Sequence, residues 1–388
     1  MNEEEYKIKK EELKDVLKTH PLRYLLSNNP DEVVSKSGVG LRRIAYRVMQ
    51  PIIPLMNPYK INVIRKEKLP KGNRPIIYIA NHGFKDDLLN LISLSGKPTY
   101  TLFGSLEQFY RTFDGYLVNL IGVSVVDRDS KESRNAVVSK WTKAINYGTN
   151  GLVFPEGIWN LEPHLIAHNF WPGFYRGLRG TNGVIVTSAF HIERNDKGKA
   201  TLHIIRDKAL DILSALACLR VATSKLNIDI KDKQYDVEDL VAIIRDSFGK
   251  ININLDEDSH KIYNTLEALK ILLEEVRTLD MDINTVSDEE LVRKAMRSYL
   301  GSLLYEIWES IGIKSREELP SYEELEKQWH QEVKKRQSEP KYYTWNESDY
   351  RYCEEYERNI ISETEVFSVL ENVSITKDNA LVLAKTKK

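Results

Sequence analysis

The chain has 388 residues, 41% apolar and 29% charged, an ordinary globular balance with room for one large domain plus additions. Its 56 Lys and Arg against 57 Asp and Glu give a formal net charge of −1, so no global basic field recruits nucleic acid. The two cysteines, Cys218 and Cys353, lie far apart and fit neither a metal site nor a disulfide framework, which suggests a reducing compartment.

Residues 1–15 are densely charged and lack an apolar run, which reads against a signal peptide. No window approaches the roughly 18–20 apolar residues of a spanning helix, so any membrane contact is expected to be peripheral. Residues 41–56 interleave Arg42, Arg43 and Arg47 with Leu41, Ile44, Ala45, Val48, Met49, Ile52 and Ile53. Leu41, Ile44, Ala45 and Val48 fall at helical spacing, and Pro51 ends or kinks that helix. Such a face either packs on the core or lies in a lipid interface, and the clustered arginines favour lipid. Residues 1–59 are therefore read as a helical, basic segment that contacts the cytoplasmic face of a membrane through residues 41–56. The three arginines predict salt-sensitive binding to anionic vesicles.

Strand and helix signals then alternate. Residues 75–80 form a short apolar run, read as a buried strand. Residues 86–95 have helical spacing closed by Gly96, with Asp86 or Asp87 as the cap. Residues 99–103 predict a strand. Ser105 and Gln108 suggest a capping box at the head of one helix running to about Leu120. Residues 123–126 predict a strand, residues 132–147 a helix, and residues 152–154, 184–191 and 201–206 three more strands. The alternation predicts an α/β fold, a central mostly parallel sheet with flanking helices, over residues 60–212. Residues 213–388 read as a helical insertion and C-terminal extension. Asp236 with Asp239, Asn264 with Glu267, and Ser287 with Glu290 open three of its helices.

Three clusters sit at the carboxyl ends of predicted strands, where open α/β sheets hold reactive groups. They are Asn81-His82-Gly83-Phe84-Lys85-Asp86-Asp87, then Gly122 through Arg128, then Phe154-Pro155-Glu156-Gly157-Ile158-Trp159-Asn160. An imidazole with a carboxylate on its second nitrogen makes a general base of fixed tautomer, and His82 with Asp87 has the spacing for it. Glu156 could accept from an acceptor hydroxyl, Gly157 leaves the backbone open to close approach, and Arg128 could hold a phosphate. His164 and His168, with Glu162 nearby, lack the order of a zinc motif, so no metal is expected.

These blocks resemble the lysophosphatidic acid and glycerol-3-phosphate acyltransferase family. Asn-His-x4-Asp is matched by Asn81, His82 and Asp87. Glycine with a later arginine is matched by Gly122 and Arg128, and Phe-Pro-Glu-Gly by Phe154 to Gly157. The segment Pro172-Gly173-Phe174-Tyr175-Arg176 and the apolar run at residues 184–189 are similar to the family's last block. The likeness covers roughly residues 40–215. It implies direct transfer of a fatty acyl group from acyl-coenzyme A or acyl carrier protein to a hydroxyl, with no bound cofactor. It implies His82 and Asp87 as catalytic residues. Asn81, Gly122, Arg128, Phe154, Pro155, Glu156, Gly157, Trp159 and Asn160 are the expected substrate contacts.

One departure bears on the acceptor. The family's third block usually continues Thr-Arg, but here Ile158 and Trp159 follow, with Trp159-Asn160 resembling some bacterial members. A cationic fork is replaced by an indole with a single donor. That departure counts against bare glycerol phosphate, and the family resemblance implies a lysophospholipid such as 1-acylglycerol-3-phosphate as acceptor. The alternatives are a glycolipid or surface-polysaccharide precursor, and a catalytically inactive membrane-binding module.

Overall fold

Ile76–Ala80 is buried along its whole length, and its side chains divide between two apolar layers. Ile77 and Ile79 enter one layer, while Ile76, Tyr78 and Ala80 enter the other, as a period-two backbone requires. A strand covered on both faces belongs at the centre of a sheet with helices on either side. The computed structural model describes residues 3–56, 59–83, 86–111, 113–128, 130–157, 167–194, 199–231, 235–248 and 264–313.

Three N-terminal helices come first: α1 (Glu3–Thr19), α2 (Pro30–Val33) and α3 (Lys36–Met49). The alternating region follows, with β1 (Lys60–Lys66), β2 (Ile76–Ala80), α4 (Asp87–Ser95), β3 (Thr99–Phe103), α5 (Leu106–Arg111), α6 (Phe113–Ile121) and β4 (Val123–Val125). It continues through α7 (Lys131–Asn146), β5 (Asn150–Val153), α8 (Pro172–Thr181), β6 (Val184–Arg194) and β7 (Ala200–Leu210). Four helices complete the described chain: α9 (Ile212–Ser224), α10 (Val237–Phe248), α11 (Thr265–Thr278) and α12 (Asp288–Ser310).

The seven strands run in the order β1-β7-β6-β2-β5-β3-β4. All neighbours are parallel except β6 and β7, which are antiparallel. The expected α/β class, with a mostly parallel sheet, is the observed one. Helix starts follow the side chains that cap them. Ser130, Asn264 and Ser287 accept from the amides of Ser133, Glu267 and Glu290 at 3.1, 2.9 and 3.1 Å. Gly96, at φ 63°, ends α4.

Two readings of the sequence are corrected. Residues 105–120 are not one helix but two, α5 and α6. Gly115 lies so close to the Phe109 carbonyl that a Cβ there would stand 1.9 Å from its oxygen, so α6 folds tightly against the end of α5. At the head of α4, Asp86 takes the cap position without making a capping bond, while its Oδ2 accepts from the Tyr59 hydroxyl at 3.3 Å.

Helix α3 carries two apolar stripes. Val39 and Tyr46 point inward, and the Tyr46 hydroxyl bonds to the Ile92 carbonyl (2.8 Å) and Ser95 Oγ (2.7 Å) of α4. Leu41, Ile44 and Val48 point outward and are 68%, 61% and 61% exposed. Beside them α6 presents Phe113, Tyr116 and Leu120, also exposed. The outward stripe is thus not core packing. The arginines, however, do not all accompany it. Arg42 donates to the Asn119 carbonyl and to Asn119 Oδ1, both at 2.9 Å, and so fastens α3 to α6. Arg43 lies against Gly148, and Arg47 is exposed. Three freely disposed arginines are therefore not available to lipid headgroups. No helix among the described residues is long and apolar enough to cross a membrane.

Candidate active site

The sheet brings His82, Asp87, Phe154 and Glu156 together because β2 and β5 are parallel neighbours and both end at this edge. His82 follows β2, and Asp87 opens α4 after the short connection. The five-residue separation lets the chain turn back, so that His82 Nδ1 and Asp87 Oδ2 lie 2.6 Å apart. Asp87 is buried, 1% exposed, whereas 18% of the His82 side chain still meets solvent. The imidazole stacks on the Phe154 ring, with centroids 4.4 Å apart and planes 15° from parallel. One edge of the imidazole is therefore fixed by a carboxylate and one face by an aromatic ring. Beside an ionised carboxylate, a proton on Nδ1 satisfies that contact.

Glu156 is held by the backbone of two loops. It is 3% exposed, and its two oxygens accept from backbone amides. Oε1 accepts from His82 N at 2.9 Å and Oε2 from His168 N at 2.8 Å. Burial pushes the Glu156 carboxyl up to about 8. The His168 and His82 amides and Arg297 act in the other direction, and Asp87 adds to the rise. Glu156 thus ties two loops together. Asn81 is committed in the same way. Its Nδ2 donates to the Phe190 carbonyl at 2.9 Å and its Oδ1 accepts from Phe190 N at 2.8 Å, holding the His82 loop to β6. The Pro155 carbonyl accepts from Trp171 N at 2.7 Å, which joins this turn to the head of α8.

Gly122 is a packing position. It is buried at φ +116° between α6 and β4, and a Cβ there would meet the Tyr100 ring at 2.6 Å. β4 follows it and leads toward Arg128. In strand order β4 stands three places from β2, about 14 Å at about 4.8 Å per strand. The half-buried Arg128 side chain shortens that gap by lying across Gly104, the residue after β3. A Cβ on Gly104 would sit 2.2 Å from Arg128 Nε. Gly104 has no role in the sequence reading, since a glycine after a strand reads as an ordinary turn. Gly157 has φ +74° and open space on the side where a Cβ would point. Trp159 and Asn160 lie outside the described residues, as do Ile158, Phe84, Lys85, Glu162 and His164.

The sequence of residues 60–191 matches the family model described as Acyltransferase. These residues belong to the acyltransferase family. A 1-acyl-sn-glycerol-3-phosphate acyltransferase of Chlamydomonas reinhardtii is 27% identical over 104 residues, 27% of this chain and 31% of that protein. The chloroplastic 1-acyl-sn-glycerol-3-phosphate acyltransferase LPAT1 of Arabidopsis thaliana is 28% identical over 99 residues, 26% of this chain and 27% of that protein. The matched region thus spans about a third or less of the length of these curated relatives. The crystal structure of the 1-acyl-sn-glycerophosphate acyltransferase PlsC of Thermotoga maritima aligns with 49% of this chain and 75% of that one. Its TM-score is 0.31 and its identity 14%, too low to say more of the acyltransferase domain than its own topology does.

Proposed function

We propose that the chain moves a fatty acyl group from acyl-coenzyme A or acyl carrier protein to a hydroxyl of a lysophospholipid such as 1-acylglycerol-3-phosphate. The observation that carries this reading is the 2.6 Å contact between His82 Nδ1 and buried Asp87 Oδ2, within an acyltransferase-family domain. With Nδ1 donating to Asp87, Nε2 takes the proton of the acceptor hydroxyl as its oxygen attacks the thioester carbonyl. The new C–O bond forms, the C–S bond breaks, and the imidazolium returns the proton to the departing sulfur. Asp87 stabilises the imidazolium in between. Arg128, resting on Gly104, supplies a guanidinium for the acceptor's phosphate. The relatives' names support this acceptor class.

The membrane is the proposed source of the lipid substrates, and contact with its cytoplasmic face is peripheral. The outward stripes of α3 and α6 support this, because adjacent exposed apolar stripes on a water-facing surface need a partner. Residues 53–56 and Tyr46 pack on α4, the helix that carries Asp87, which links the lipid-facing side to the site.

The test is thiol release and mass-detected product formation by the purified chain, with acyl-coenzyme A and acyl carrier protein as alternative donors. Lysophosphatidic acid should be acylated. Trp159 in place of the family's arginine favours a second reading, a glycolipid or polysaccharide precursor as acceptor. That reading gains if such an acceptor is preferred and Trp159→Arg shifts preference toward lysophosphatidic acid. Vesicle binding with no thioester consumption on any acceptor would leave only a membrane-binding module.

A further inference from the structure

Helix α12 lies well outside the segment that matches the family, yet it reaches the loop that holds His82. Arg297 Nε donates to the Ala167 carbonyl at 2.8 Å, and its Nη1 donates to Asn169 Oδ1 at 3.1 Å. One turn earlier, Arg293 Nε donates to the Phe170 carbonyl at 2.5 Å. These three acceptors bracket His168, whose amide donates to Glu156 Oε2 at 2.8 Å. The other oxygen of Glu156 accepts from the His82 amide at 2.9 Å. A continuous path of hydrogen bonds therefore runs from α12 through residues 167–170 and Glu156 to the backbone of His82.

We infer that Arg297 is a positioning residue for acyl transfer, holding residues 167–170 so that Glu156 fixes the His82 backbone. The inference rests on His82 being the base. Arg297 does not touch the reacting atoms. It acts through Glu156, which is too buried to be stabilised by water and is held by two amides.

The charges around this path fix what its removal does. Glu156 faces Arg297 from α12 and Asp87 from α4, with His82 and His168 on its two oxygens. Arg297 also faces Glu275 of α11, a buried carboxylate that is influenced by Lys294 as well. Taking away the guanidinium removes a cation that favours ionised Glu156, so protonation of Glu156 persists to higher pH. A protonated carboxyl presents only one full acceptor to two N–H donors, so the pH below which the His82 loop loosens rises. A merely structural arginine, holding helix to loop, would not move the pH dependence of turnover.

The experiment uses the full chain with Arg297→Gln, Arg297→Lys and Asn169→Ala. The last removes one partner from an exposed side chain and keeps the test open should Arg297→Gln fail to fold. Hydrogen exchange of peptides covering residues 78–83 and 167–171 should quicken about tenfold in Arg297→Gln, the scale of one hydrogen bond to a charged group. The kcat should fall by about the same factor with KM little changed, and the acidic limb of kcat should move to higher pH. Arg297→Lys should leave that limb in place, and Asn169→Ala should quicken exchange at residues 167–171. Unchanged exchange overturns the inference, as does faster exchange with wild-type kcat and pH profile. If the wild-type chain acylates no acceptor while exchange still responds, the base assignment fails and the inference about catalysis falls with it. Acylation by the wild-type chain tells the two failures apart.

Discussion

The outward stripe of α3 offers a perturbation whose size can be worked from exposure. Leu41, Ile44 and Val48 are each roughly two thirds exposed, so changing all three to Gln removes no core contact. Fully burying such a side chain stabilises by about 2 kcal/mol, and two thirds of that for three residues is about 4 kcal/mol. At about 1.4 kcal/mol per tenfold, partitioning onto a lipid surface should fall by roughly a thousandfold. Sedimentation with vesicles of phosphatidylcholine and phosphatidylglycerol measures it, and the melting temperature should stay within a degree or two as a control. Arg42 must be left intact, because its bonds to Asn119 hold α3 to α6. Only exposed Arg47 is well placed to add charge attraction. Raising the salt should therefore weaken binding far less than three arginines at headgroup level would require. Unchanged sedimentation of the triple variant would refute the reasoning, and so would binding that vanishes in moderate salt while the apolar stripe is intact.

Two further outcomes follow from named contacts. Gly104→Ala should displace the Arg128 guanidinium, since the new Cβ would lie 2.2 Å from Nε. The KM for a phosphate-bearing acceptor should rise by roughly ten- to a hundredfold, the value of one charge-assisted contact, with little change for an acceptor lacking phosphate. Lys140 is fully buried, donating to the Leu25 and Val125 carbonyls at 3.0 and 2.9 Å, and burial lowers its pKa to about 8 from 10.5. The folded state thus binds this proton less tightly than the unfolded state. Its contribution to stability is lowest below pH 8, rises between pH 8 and 10.5, and is level above. The rise amounts to about 3 kcal/mol, at about 1.4 kcal/mol per tenfold in proton affinity. Denaturant unfolding of wild type and Lys140→Met at both ends of that range should show the gain in wild type only.

How much of this was legible in the sequence depended on whether the signal was local. His82 and Asp87 are five residues apart on a strand–turn–helix, so their meeting follows from spacing and period alone. The central strands β2, β3 and β5 announce themselves as apolar runs between turn residues. β1 does not. At the sheet edge, Lys60–Lys66 exposes most of its side chains, and its mixture of charged and apolar residues gives no clear strand signal. The stripe on α3 was legible as amphipathic. Its direction was not, because Val39 and Tyr46 supply a second stripe that takes the inward side. The backbone contacts of Asn81 and Glu156 were hidden for one reason. A polar residue in a block that resembles a family motif invites a substrate contact, while the sequence hides the backbone amides of Phe190, His82 and His168 that the fold carries up to them. Arg293 and Arg297 left a faint trace. They are two arginines four residues apart beside the apolar positions Val292 and Met296, a hint that one helix edge meets a polar partner. No local pattern could say that the partner was the segment beside Glu156.

The most direct test of the account is the rate of lysophosphatidic acid acylation by wild type and by His82→Ala, measured at saturating donor with folding verified by the melting temperature. His82 stands at a strand end with part of its ring exposed, so its removal should leave the fold in place. The account predicts that kcat falls by at least about a hundredfold, the usual scale for loss of a general base. A well-folded His82→Ala chain that acylates the lipid at the wild-type rate would contradict it.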